Sequence, residues 1–106
     1  MAKEQQLTHG LKSRLMYVEN KNGEIDGANA RIGWVKFSKT GRTVYYRGLE
    51  LSKARGVSGN FIHQSTGHEF WVSGVKKRGS NTHWAERISV EIDADASEAY
   101  YKLRTG

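Results

Sequence analysis

The chain has 106 residues, with 17 Lys and Arg against 11 Asp and Glu, and neither Cys nor Pro. That length suits one domain with a modest core, and the missing cysteines exclude a disulfide framework, a thiolate metal site and a cysteine nucleophile. A net charge of +6 and a pI near 9.7 are the electrostatic footprint of a protein that meets polyanions: nucleic acid, an anionic surface or an acidic partner.

Residues 1–13 are polar and have no apolar segment of the kind that opens a secretory signal, so they are expected to form a flexible N-terminal tail. A single β-domain over 14–106 should follow. No apolar run approaches membrane thickness, and a soluble, cytoplasmic protein without membrane contact is expected. Residues 14–20 read as a first strand, and the polar, glycine-bearing stretch 21–30 reads as a loop.

Residues 31–48 are the most informative, because they encode a hairpin with aromatic and cationic residues interleaved on one face. With Thr40-Gly41 as a two-residue loop, Phe37 faces Val44 and Val35 faces Tyr46, which makes the core side. Trp34, Lys36, Thr43, Tyr45 and Arg47 then share the other side. A three-residue loop with Gly41 as its left-handed residue would instead turn Tyr45 inward. The polar-tipped face is either covered by another element, with Lys and Arg stems over the rings, or open to a polyanion with exposed bases. The strand spans are 31–39 and 42–51, and a bulge at Gly48 accounts for Leu49 and Leu51 having the parity of Tyr45 rather than Tyr46.

A second hairpin is expected over 60–65 and 68–76, turning at Ser65-Thr66-Gly67. The spacing from Thr40-Gly41 to Gly48 recurs from Thr66-Gly67 to Gly74, which suggests a duplicated unit. His63 and His68 would be diagonal neighbours, but no third ligand accompanies them, so no metal or other cofactor is expected. Residues 76–84 read as a loop in which Lys76, Lys77 and Arg78 could meet phosphates while Trp84 stacks on a base. In the next strand, 87–93, strict alternation buries Ile88, Val90 and Ile92 and leaves Ser89, Glu91 and Asp93 in water. Asp95 and Glu98 have capping-box spacing for a helix over 96–103, and Tyr100 or Leu103 is expected to plug one end of the sheet.

No phosphate-binding P-loop, Rossmann glycine fingerprint, His-Glu-x-x-His or Gly-x-Ser-x-Gly occurs in the chain, and these are the signals that would point to an enzyme. The order Met16-Tyr-Val-Glu, Ala30-Arg-Ile-Gly, Phe37-Ser-Lys-Thr-Gly-Arg-Thr-Val-Tyr-Tyr-Arg-Gly, Asn60-Phe and Phe70-Trp-Val-Ser-Gly-Val-Lys-Lys-Arg-Gly resembles a group of short, uncharacterised bacterial proteins. The match covers roughly residues 15–80. Some members of that group carry the transferred name 1-deoxy-D-xylulose-5-phosphate synthase, a large multidomain thiamine diphosphate enzyme whose domains and diphosphate motif this chain does not contain. The resemblance implies a bacterial origin and supplies no site residues.

The fold expected is mainly β: a small antiparallel SH3-like barrel of about six strands with a short C-terminal helix. The function expected is a non-enzymatic binding module for DNA or RNA, using Trp34, Lys36, Tyr45, Arg47, Lys76, Lys77, Arg78 and Trp84. A protein-interaction module for a peptide or acidic partner is the alternative, and a small enzyme comes third.

Overall fold

The computed structural model describes residues 10–77 and 88–105. Its strands are β1 (Ser13–Asn20), β2 (Ala30–Phe37), β3 (Thr43–Tyr46), β4 (Leu49–Lys53), β5 (Phe61–Ile62), β6 (Glu69–Gly74) and β7 (Val90–Ile92), and its helix is α1 (Ser97–Thr105), entered through a 3-10 turn at Ala94–Ala96. From β1 to β6 each strand pairs antiparallel with the next, and β6 pairs back onto β1 from Met16↔Gly74 to Asn20↔Phe70. The result is a closed, six-stranded antiparallel barrel of SH3-like type. β7 adds a parallel strand along the first residues of β2, where β3 has already diverged.

Period-two alternation decides what fills the barrel. Val18, Val35, Val44, Tyr46, Leu51, Phe61, Phe70 and Val72 point inward and form one buried cluster, each contributing roughly 1.5–3 kcal/mol relative to exposure. Ile25 joins it from the β1–β2 loop, where Ile25 and Ala28 bridge across Asp26-Gly27 at φ 47° and 93°. That loop was expected to be simply polar; instead it stoppers one mouth of the barrel. A second cluster lies outside, on β1, β2 and β6, where Tyr17, Ala30 and Ile32 are covered by Trp71, Ile88, Ile92 and Tyr100. The helix therefore docks on the barrel's flank rather than plugging its end, and Leu103 stays 36% exposed.

The span expected as one strand over 42–51 is a hairpin. Arg47 and Gly48 have φ of 49° and 79°, as a type I′ turn requires at both central positions, and Tyr46 pairs with Leu49 while Val44 pairs with Leu51. The parity switch at Gly48 is thus a chain reversal, not a bulge. In the preceding hairpin the register is that of the two-residue reading, with Phe37 opposite Val44. Its loop is longer, however: the Ser38 N–H donates to Thr43 O, the Gly41 N–H donates to Ser38 O, and Gly41 is left-handed at φ 74°.

The β5–β6 register differs from the expected one by a shift that sets His63 directly opposite His68, whose carbonyl accepts the His63 N–H. His63 Nδ1 meets Thr66 Oγ1 and His68 Nδ1 meets the Asn20 side-chain amide. The apparent duplication ends at the second glycine, because Gly48 sits in a turn and Gly74 in β6. Near the C-terminus the alternation breaks: Val90 is 37% exposed while Asp93 is only 7% exposed. Parallel pairing stops at Ile32↔Ile92, the Asp93 N–H donates to Ile32 O, and the chain swings into the 3-10 turn with Asp93 as its N-cap. The Asp93 side chain makes no capping hydrogen bond there, since its carboxylate is engaged elsewhere.

Candidate nucleic-acid interface

In an antiparallel meander, odd-numbered strands start where even-numbered strands finish. At that end of this barrel the described strand termini and turns carry Lys12 and Arg14 at β1, Lys36, Lys39 and Arg42 around the β2–β3 turn, Lys53 and Arg55 after β4, and Lys76 and Lys77 after β6. These are nine cations, and residues 10–14, 36–43, 52–60 and 74–77 include no Asp or Glu; the Glu69 carboxylate reaches the third of these segments, where it accepts the Ser58 and Gly59 N–H groups. All of the cations but Lys36 are exposed. Coulomb repulsion among so many cations opposes folding slightly and is tolerated because solvent screens it, which leaves a strong positive potential at this end.

The opposite end has the reverse balance. Glu19, Glu24, Asp26, Glu50, Glu91 and Asp93 lie there, with Lys21, Arg31 and Arg47 as the cations. Each of those three is ion-paired: Lys21 with Glu19, Arg31 with Asp93, and Arg47 with both Asp26 and Asp93. The overall charge of +6 therefore conceals a polarised molecule.

Asp93 organises the acidic end. One carboxylate oxygen takes Arg31 at 3.1 Å and Arg47 at 3.3 Å, and the other accepts a short hydrogen bond from the buried Tyr46 hydroxyl. Burial, followed by the hydrogen bond to Asp93, pushes the Tyr46 phenol well above its ordinary value. Space for the carboxylate comes from Gly33, where a Cβ would collide with Asp93 and with the Tyr46 ring. Arg47 also donates to Asp26 at 2.7 Å and holds that carboxyl below the usual range. This cluster fixes the chain leading to α1 against the barrel.

Of the residues singled out from sequence, Lys36 and Tyr45 are cross-strand partners on the outer face of the β2–β3 hairpin, and Trp34 precedes Lys36 by two residues on the same face. Such neighbours stand within reach of one another. Trp34 is neither a bare platform nor a core residue: it is 38% exposed, and its indole N–H donates to Asp95 O at 3.0 Å. Lys76 and Lys77 lie at the cationic end, where Arg104 of α1 donates to Lys76 O. Arg47 does not join them, because the turn at Arg47-Gly48 carries it to the other end and its guanidinium is held by two carboxylates. Arg78 and Trp84 lie outside the described residues.

Sequence reading missed Lys12, Arg14, Lys39, Arg42, Lys53 and Arg55. They are scattered along the chain and form no run, and only the strand order shows that they meet. Counting cations at the starts of odd strands and the ends of even ones finds Lys12, Arg14, Lys39 and Arg42, but it finds Lys53 and Arg55 only once the reversal at Arg47-Gly48 is recognised.

Among the described residues no group of three His, Asp or Glu could hold a metal ion, and no helix is long and apolar enough to cross a membrane. Fold and surface together define a small closed barrel with one cationic end beside an aromatic-bearing flank. Comparisons with family models, curated proteins and solved structures give no match.

Proposed function

We propose that the protein is a non-enzymatic, cytoplasmic binding module that contacts nucleic acid through the cationic end of its barrel and the adjoining Trp34–Lys36–Tyr45 face. The observation that carries this reading is the segregation of nine cations at one end of the described fold, on segments of the chain that contain no Asp or Glu. Closely spaced phosphates are the ligand such an end suits, because each neutralised phosphate releases condensed counterions and contributes sequence-independent affinity. Trp34 and Tyr45 offer partly exposed rings to unpaired bases, which every sequence can use for stacking. Single strands are therefore favoured over duplex.

The test is fluorescence anisotropy of the full chain with single-stranded and duplex DNA and RNA over a range of salt concentrations. Binding should weaken with a log–log slope of about −2 or steeper, at about −0.7 per phosphate contacted in a single strand. Undetectable binding to every strand at low salt would displace this reading in favour of an acidic peptide as the ligand.

A further inference from the structure

The cationic end is concave at one place. A cleft of about 320 Å³ separates the residues that lead into β1 from the β2–β3 turn, lined by Leu11, Lys12, Arg14, Phe37, Ser38 and Lys39 together with Gly10. Its volume lies at the lower end of the range for small-molecule sites, roughly 300–1,000 Å³, which matches one nucleotide better than a length of strand. Three of the lining residues are cations and none is acidic. The other contribution is apolar, from Leu11 and the Phe37 ring.

The cleft is also preorganised. The Arg14 guanidinium carbon lies 5.5 Å from the Phe37 ring centroid, an arrangement that holds the flat cation against an aromatic face and leaves it able to stack or to donate in a fork. The turn wall is fixed by the Ser38 N–H to Thr43 O and by the Thr43 N–H to Ser38 Oγ. The strand carrying Arg14 pairs with the strand carrying Lys36, through Ser13↔Lys36 and Arg14↔Val35, so the cleft adjoins the proposed strand-binding face.

We propose that this cleft seats the terminal phosphorylated nucleotide of a single strand, with the phosphate among Lys12, Arg14 and Lys39 and the sugar and base against Phe37 and Leu11. The assignment rests on the nucleic-acid reading above. A pocket of this size admits a nucleotide that can leave the stack, as a strand end or an unpaired residue does and the interior of a duplex does not.

The experiment compares the full chain with oligonucleotides of one sequence that carry a 5′-phosphate, a 3′-phosphate or no terminal phosphate, with a nucleoside monophosphate and inorganic phosphate as competitors. One phosphorylated end should bind about tenfold more tightly than the unmodified strand, equivalent to a single charge-assisted contact. Arg14→Gln, and independently Lys12→Gln, should erase that preference, while Lys53→Gln, at the same end but outside the cleft, should weaken all three strands equally and preserve it. Nucleoside monophosphate should remove the preference at lower concentration than inorganic phosphate. Equal affinity for all three strands, or an equal loss in Arg14→Gln and Lys53→Gln, overturns the cleft assignment and leaves the general reading standing. Competition by inorganic phosphate as strong as by the nucleotide reduces the cleft to an anion site and overturns the nucleotide assignment. Absence of binding to any strand removes both proposals.

Discussion

Replacing Asp93 with Ala tests whether the acidic end is the fastening that holds the C-terminal segment to the barrel. The side chain is 7% exposed and receives Arg31, Arg47 and the Tyr46 hydroxyl, so truncation leaves two guanidinium groups and a buried phenol without their shared acceptor. Breaking a buried ion pair by removing one partner costs about 3–5 kcal/mol. The lower end applies here, because Arg31 keeps the carbonyls of Ile25 and Asp26 and Arg47 keeps the Asp26 carboxylate. A loss near 3 kcal/mol, at roughly 4–8 °C per kcal/mol for a domain of this size, lowers the thermal midpoint by about 12–24 °C. Circular dichroism melts of wild type, Asp93→Ala and Asp93→Asn measure it, with the Asn variant expected between the other two. A loss below about 1 kcal/mol for Asp93→Ala would show that the cluster is not a structural fastening.

Gly33→Ala should destabilise by about 1–3 kcal/mol through overpacking, since the added Cβ meets the Asp93 carboxylate and the Tyr46 ring; an unchanged urea midpoint would contradict that crowding. Trp34→Phe should lose about 1 kcal/mol of stability with the indole hydrogen bond to Asp95 O. Trp34→Ala should lose less than the roughly 3–5 kcal/mol typical of a buried aromatic, while costing about 1–3 kcal/mol in single-strand binding; a stability loss with binding intact would remove Trp34 from the interface. Glu69 accepts the N–H groups of Ser58 and Gly59, which hold its carboxyl below its ordinary 4.5. The folded state then binds that proton more weakly than the unfolded chain, so the stabilisation is present above the ordinary value and lost as pH falls through the lowered one. Between about pH 5 and pH 3 the wild-type midpoint should therefore fall further than that of Glu69→Gln, and parallel declines would refute the role given to the loop's N–H groups.

The β2–β3 hairpin was legible because its signals are local: alternation over Val35, Phe37, Val44 and Tyr46 with a turn at Gly41 gives the observed pairing, and only the loop length left a rival register with Tyr45 inward. The Arg47-Gly48 turn was not, since an arginine at positive φ gives no sign of a reversal and its guanidinium finds partners only in the folded chain. The parity switch at Leu49 and Leu51 was the available clue, and it fits a hairpin as well as a bulge. Asp93 was misread for a similar reason. Alternation assigns the polar residue to water unless a partner awaits it, and here the partner Arg31 lies 62 positions away. The cationic end was the least visible, because it is created by strand order. In the sequence its members are separated by up to 65 positions, from Lys12 to Lys77.

Relocating charge at constant net charge tests the central proposal most directly. A variant carrying Arg42→Glu and Lys77→Glu at the cationic end and Glu24→Lys and Glu91→Lys at the other keeps the overall charge of +6, and all four positions are exposed. If the cationic end binds the strand, single-strand affinity at low salt should fall by more than about tenfold and the salt slope should flatten by at least about 1. Affinity and slope equal to wild type, in a variant that still melts as a folded domain, would show that binding follows net charge alone and that the cationic end is not the site.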